Sequence, residues 1–232
     1  MVVDAVLFDW GGTLTPWCPP DEQSWLRVAR RLVPADAERA AGALAAAEFA
    51  VWQRARLQQR SGTMTEIFTA AGIDPTPAAY EVFAAEVEHA THTDPEAAAL
   101  LTELRARGVR IGVLSNTTWT RAHHERIFAR DGLLGLIDGA VYTSEIEVTK
   151  PHPAAFRSAM AAVGVSDPAR CVFVGDRTFD DIHGAGSVGM RTVLVPHSAI
   201  PATQRGHTDG VPDAVVQRLS ELLGVVETWR EC

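Results

Sequence analysis

The sequence predicts an α/β protein: a parallel sheet covered by helices on both faces, with an all-helical segment inserted after the first strand. Three observations lead there. From Asp94 onward, short apolar runs alternate strictly with helical stretches, the pattern of a parallel sheet. Val2 to Phe8 is a short Val-rich run halted by Gly11 and Gly12, and it reads as a buried strand ahead of that alternation. Between the two, residues 17–93 show only helical spacing, so the segment is most simply an insertion after strand one.

Each element has its own signal. Asp9 leaves the first strand. A carboxylate there either faces the crevice in which open α/β sheets bind ligands or merely starts a turn. In the inserted segment, Trp25, Val28 and Leu32 form one helical pattern and Leu44, Ala47, Val51 and Ala55 another, separated by Pro34 with Asp36 behind it. The Ala-rich stretch from Ala40 to Ala50 is strong helix former. Met64 to Ala71 ends at Gly72, and Ala78 to Ala90 follows the Pro75/Pro77 loop. Thereafter the expected order is a helix at 95–107 closed by Gly108, a strand from Val109 to Leu114 and a helix near 120–130. A weak strand from Ala140 to Thr143 and a helix at 153–163 closed by Gly164 come next. Cys171 to Val174 is a strong strand, followed by a helix near 179–188, a strand from Thr192 to Val195, a loop at 196–211 and a last helix at 212–223.

Composition narrows the function. Of 232 residues, 47% are hydrophobic and 22% charged, an ordinary globular balance, and no stretch approaches the ~20 apolar residues that span a bilayer. Residues 2–8 lack the basic flank and small-residue site of a signal peptide, so a cytoplasmic address is expected. Cys18, Cys171 and Cys232 are odd in number and widely spaced, which argues for reduced thiols and against a disulfide framework or zinc site. With a net charge of −8 and no basic run, neither nucleic acid nor an anionic membrane is an expected partner, whereas a small anion can be bound if a few local cations and backbone amides gather around it.

Four strand ends carry the groups that phosphoryl transfer to a carboxylate requires: Asp9, then Ser115-Asn116, then Lys150-Pro151, then Gly175-Asp176 with Asp180 and Asp181 behind. With strands one and four as neighbours, Asp9 and Asp176 can share a hard cation with oxygen ligands, as Mg²⁺ prefers. Ser115 can donate to a phosphoryl oxygen, and Lys150 can neutralise another while holding Asp9 ionised as the nucleophile. Singly, each residue has a plainer use. Asp176, Asp180 and Asp181 suit a helix cap, Ser115 and Asn116 a helix start, and Lys150 a solvated charge before a helix. Their occurrence at consecutive strand ends is what favours the chemistry.

Phe8-Asp9-Trp10-Gly11-Gly12-Thr13-Leu14, Val113-Leu114-Ser115-Asn116, Lys150-Pro151 and Val174-Gly175-Asp176 with Asp181-Ile182-His183-Gly184-Ala185 resemble the four ordered motifs of the haloacid dehalogenase-like (HAD) hydrolases. The resemblance covers essentially the whole chain. It implies a Rossmann-like core of residues 1–16 and 94–232 with strand order 3-2-1-4-5, and a mobile helical cap of residues 17–93. It also implies Mg²⁺ held by Asp9, the Gly11 carbonyl and Asp176 with help from Asp181, catalysis by Asp9, Ser115 and Lys150, and a small phosphorylated metabolite bound with Gly12 and Asn116.

One departure stands out. Most phosphatases that this chain resembles have a second Asp two residues after the nucleophile, acting as general acid and base, and here that residue is Gly11. Such help is worth roughly 10² to 10⁴ in rate, so poor leaving groups should react slowly. Either the leaving group departs unaided, as from an anomeric or acyl phosphate, or a cap residue such as Glu48, His89 or His92 substitutes, or the fold serves binding of a ligand or partner. Dehalogenases of the family also lack that Asp, but they use no metal and open their fourth motif with Ser-Asn, where this chain has Gly175-Asp176. Trp10 and Trp17 are expected to pack between cap and core, and His123 and His124 to lie on an exposed helix face. Oligomeric state is not legible in the sequence.

Overall fold

In the computed structural model, residues 2–16, 23–196 and 209–231 are described below. Trp17, Cys18, Cys232 and most of the expected 196–211 loop lie outside them.

The sheet is parallel throughout, in the order β3-β2-β1-β4-β5-β6. Its strands are β1 (Ala5–Phe8), β2 (Arg110–Ser115), β3 (Gly139–Tyr142), β4 (Cys171–Gly175), β5 (Arg191–Leu194) and β6 (Ala214–Val215). The first five follow the expected order, and β1 is flanked by β2 and β4. Side chains alternate between the faces of a strand, so Val6 and Phe8 join one core cluster and Ala5 and Leu7 the other. The first cluster packs against α5 (Ala97–Ala106), α6 (Arg121–Arg130) and α9 (Leu222–Glu231). The second packs against α7 (Pro153–Ala162) and α8 (Gly184–Ser187). Leu101 and Phe128 are fully buried in the first cluster, each contributing about 2 kcal/mol relative to exposure. Helices α5 and α7 stop at Gly108 and Gly164, both left-handed (φ 76° and 67°), where residues with a Cβ would be strained.

Two expectations near the C-terminal end need correction. The expected helix at 212–223 begins instead with the edge strand β6, paired to β5 through Val193 and Ala214, and α9 starts only at Leu222. The apolar spacing of Val216, Leu219 and Leu222 is real, and all three are buried, but a strand exit and a 3₁₀ turn deliver them there. The expected helix at 179–188 opens as a π-helical turn, Thr178–His183, before α8. Widened turns of this kind are frequent at functional sites.

Among the described residues between β1 and α5, the regular elements are helices: α1 (Ser24–Leu32), α2 (Ala37–Gln58), α3 (Met64–Ala70) and α4 (Pro77–Val87). They bury a cluster of their own around Val28, Leu44, Ile67, Phe68 and Phe83. Thr63 and Thr76 cap α3 and α4 by accepting from the amides of Glu66 and Ala79. The two passages between block and sheet run side by side, Asp94 N–H donating to the Leu14 carbonyl at 2.8 Å. The block also grips two loops at the sheet's C-terminal edge. Gln59–Ser61 pairs with 147–149 through Ser61 N–H to Glu147 O and Thr149 N–H to Gln59 O, both 3.0 Å, and Met64 N–H donates to Thr118 O at 2.8 Å. No helix among the described residues is long and apolar enough to cross a membrane.

Candidate active site

Register brings the site together. Phe8 lies level with Val113 of β2 and Val174 of β4, so Asp9, Ser115 and Asp176 all emerge at one edge of the sheet. The Asp9 amide continues the ladder by donating to Val174 O at 2.9 Å, which fixes the residue beside β4. Lys150, buried, donates from Nζ to Asp9 Oδ1 at 2.6 Å and to Asp181 Oδ1 at 2.7 Å. The other oxygen of Asp181 accepts from the Arg177 amide at 2.9 Å.

Asn116 holds Lys150 in place. Its Oδ1 accepts from the Lys150 amide at 2.8 Å and its Nδ2 donates to the Lys150 carbonyl at 3.1 Å, so both ends of the carboxamide engage the backbone of that residue. Lys150-Pro151 is a cis peptide. Gly12 and Gly175 supply room: a Cβ on Gly12 would overlap the Asp176 carboxylate, and one on Gly175 would overlap that of Asp181. Around Gly11 the opposite holds, with no atom of the described residues within 4 Å of where a Cβ would stand.

Asp176 is the anomaly. Its carboxylate is buried, Arg177 Nε approaches Oδ2 only to 3.4 Å, and neither oxygen has a hydrogen-bond partner among the described residues. Buried charges are ordinarily paired, hydrogen-bonded or bound to metal. Asp9, Asp176 and Asp181 each bring a ligand oxygen within 4.8 Å of the others, close enough to surround one ion. Asp180 adds a further carboxylate that feels Asp181, Lys150, Arg177 and Asp9. Four carboxylates thus face two cations.

The acidities reflect this imbalance. Burial pushes Asp9 up to about 6, opposed by Lys150 and reinforced by Asp181. Burial, followed by repulsion from Asp9 and Asp181, raises Asp176 well above the usual carboxylate range. Burial lifts Asp180 to about 6. The charged form of this cluster calls for additional positive charge, and a divalent ion bound by carboxylate oxygens would supply it. The residues present therefore fit Mg²⁺.

Other expected residues fall differently. Glu48 accepts from the Trp25 indole at 2.6 Å inside the helical block, His89 Nδ1 contacts the Glu86 carbonyl, and His92 is exposed. None of the three is among the groups that act on Asp9. The exposed placement expected for the two histidines of α6 is corrected: His123 is half-buried and His124 fully buried. His124 lies in phase with Ile127 and Phe128 on the inward face of α6, so helical spacing carried the signal. Its ring stacks on Tyr142 at 4.4 Å, meets Trp10 edge-on at 4.7 Å, and its Nε2 lies 3.1 Å from Thr117 Oγ1. Burial lowers its pKa to about 3, so it is neutral at pH 7. Trp10 is buried and packs on Trp119 at 5.4 Å, and Trp119 reaches Phe83 of α4 at 5.6 Å, joining the sheet's core to the helical block. Two features carried no periodic signal in the sequence: the clamp of Asn116 on Lys150 and the clasp at Gln59–Ser61.

A parallel sheet that gathers an Asp, a Ser, a Lys and an acidic pair from successive strand ends defines a class of hydrolase, and the sequence places the chain within it. Over residues 3–189 it matches the haloacid dehalogenase-like hydrolases, and it belongs to that family. It is 33% identical over 132 residues to a glyceraldehyde 3-phosphate phosphatase of Methanopyrus kandleri, a match that takes in 57% of this chain and 55% of that protein. The chain thus matches about half the length of this curated relative. Among solved structures it resembles a 2-haloacid dehalogenase of Pseudomonas syringae pv. Tomato (TM-score 0.68, 25% identity, 98% of this chain and 100% of that one). It also resembles a HAD phosphatase of Thermococcus onnurineus (TM-score 0.64, 22% identity, 97% and 98%), a likeness of fold alone.

Proposed function

We propose that this hydrolase is a Mg²⁺-dependent phosphoric monoester phosphatase acting on a small phosphorylated metabolite through an aspartyl-phosphate on Asp9. The observation that carries this reading is the buried carboxylate of Asp176 beside Asp9, without a hydrogen-bond partner among the described residues and with only Arg177 at 3.4 Å, an arrangement that suits a divalent ion and would burden a metal-free dehalogenase with excess negative charge. The phosphatase relative supports the substrate class. A cytoplasmic setting belongs to the same proposal.

When bound, Mg²⁺ would neutralise phosphoryl oxygens and the carboxylates around them. Asp9 and Asp176 would hold it with the Gly11 carbonyl. Asp181, whose oxygens already accept from Lys150 and the Arg177 amide, would contribute through its charge and by fixing Lys150. Lys150 keeps Asp9 oriented and ionised, and Ser115 and Lys150 meet the non-bridging oxygens, with Gly12 and Asn116 at the substrate's edge. An Asp9 oxygen attacks phosphorus, the bond from phosphorus to the ester oxygen breaks, and water then cleaves the acyl phosphate to release inorganic phosphate and restore the carboxylate. Gly11 offers no proton to the departing oxygen, so substrates with acidic leaving groups are favoured. Residues 17–93 act as the cap that closes over the substrate, with the Gln59–Ser61 clasp tying them to the loop that bears Lys150.

The test is hydrolysis of a panel of phosphate esters of graded leaving-group acidity, with Mg²⁺ and with chelator. Turnover that needs Mg²⁺ and rises steeply with leaving-group acidity is expected. Absence of turnover on every ester, with phosphate still bound, would instead mark a ligand-binding protein.

A further inference from the structure

Helix α2 has two faces. One is buried in the helical block through Leu44, Val51 and Ala55. About a third of a turn away runs a second stripe, Glu38, Gly42, Ala45, Phe49, Trp52 and Arg56, spaced 4-3-4-3-4 and exposed at every position. Phe49 is 67% and Trp52 38% exposed, unusual for aromatic side chains of this size. The spacing is that of a helix seam made to pack along another helix.

The stripe is complementary to itself. Laid antiparallel on a second α2 about a two-fold axis at Ala47, it sets Phe49 opposite Ala45, Trp52 opposite Gly42 and Glu38 opposite Arg56. Each large side chain meets a small one, which permits the close axial approach of packed helices, and each end charge meets its opposite. Under two-fold symmetry every contact occurs twice. A parallel pairing would instead place Phe49 on Phe49 and Arg56 on Arg56.

We propose that the protein forms a symmetric dimer through this stripe of α2, the occupant being a second copy of the chain. The proposal is independent of the phosphatase reading. It is tested by sedimentation equilibrium of the full chain up to ~100 µM, where a specific interface of this kind is populated. Wild-type protein is expected to be dimeric. Glu38→Arg and Arg56→Glu should each weaken the dimer about tenfold or more, because two attractive contacts become repulsive, and the double variant should recover the lost affinity. Trp52→Glu should be monomeric with an unchanged far-ultraviolet circular dichroism spectrum. A wild-type protein that stays monomeric overturns the proposal and leaves the face to another partner. So does a charge-swapped double variant no tighter than the single ones, which would place the dimer contact elsewhere.

Discussion

Asp9→Asn is expected to lower turnover of every ester in the panel on the order of 10⁴-fold or more, because it removes the nucleophile together with one of the carboxylates that would hold Mg²⁺. The geometry separates this loss from unfolding. Asp9 sits in a cluster with excess negative charge, where burial has already raised its pKa to about 6. A neutral amide of the same shape relieves repulsion with Asp176 and Asp181, while Lys150 keeps its bond to Asp181. The thermal midpoint without Mg²⁺ should therefore hold or rise. Residual turnover within tenfold of wild type would remove Asp9 from the chemistry.

Gly11→Asp is expected to raise activity, a rarer outcome for a substitution in an active site. Beside Gly11 no atom of the described residues lies within 4 Å of a Cβ, and its backbone is not left-handed, so the side chain enters without strain. A carboxyl group there would protonate the leaving oxygen and later deprotonate water, which is worth roughly 10²-fold or more. The gain should appear on alkyl phosphates and be small on nitrophenyl phosphate, flattening the dependence of rate on leaving-group acidity. An unchanged slope would mean that proton transfer does not limit this enzyme. The contrast with Gly12 is sharp: there a Cβ would overlap Asp176, and Gly12→Ala would displace the carboxylate on which the ion depends.

The sheet was legible because hydrophobic runs and glycine stops are local. Five strands and the four polar strand ends follow from period and punctuation, the strand order follows only from the family resemblance, and the register of β1 against β4 then places Asp9 beside Asp176. Pairings between distant residues left no such trace. Nothing periodic announces that Asn116 would grip both sides of Lys150, that Gly175 makes room for Asp181, or that Gln59–Ser61 would pair with 147–149. His124 was read from its polarity when its phase with Ile127 and Phe128 placed it inside. At 212–223 the apolar spacing fits a helix, but Ala214 and Val215 complete the sheet's edge first. In that last case a tertiary contact overrode a local preference.

The sharpest measurement is a crystal structure of the full chain soaked at pH 7.5, above the value of about 6 for Asp9, with Mg²⁺ and beryllium fluoride as a phosphoryl mimic. One ion should bridge Asp9 and Asp176, with the fluoride bonded to Asp9 and facing Ser115 and Lys150. An ion bound elsewhere, or none beside Asp176 while the fluoride avoids Asp9, would contradict the proposed chemistry.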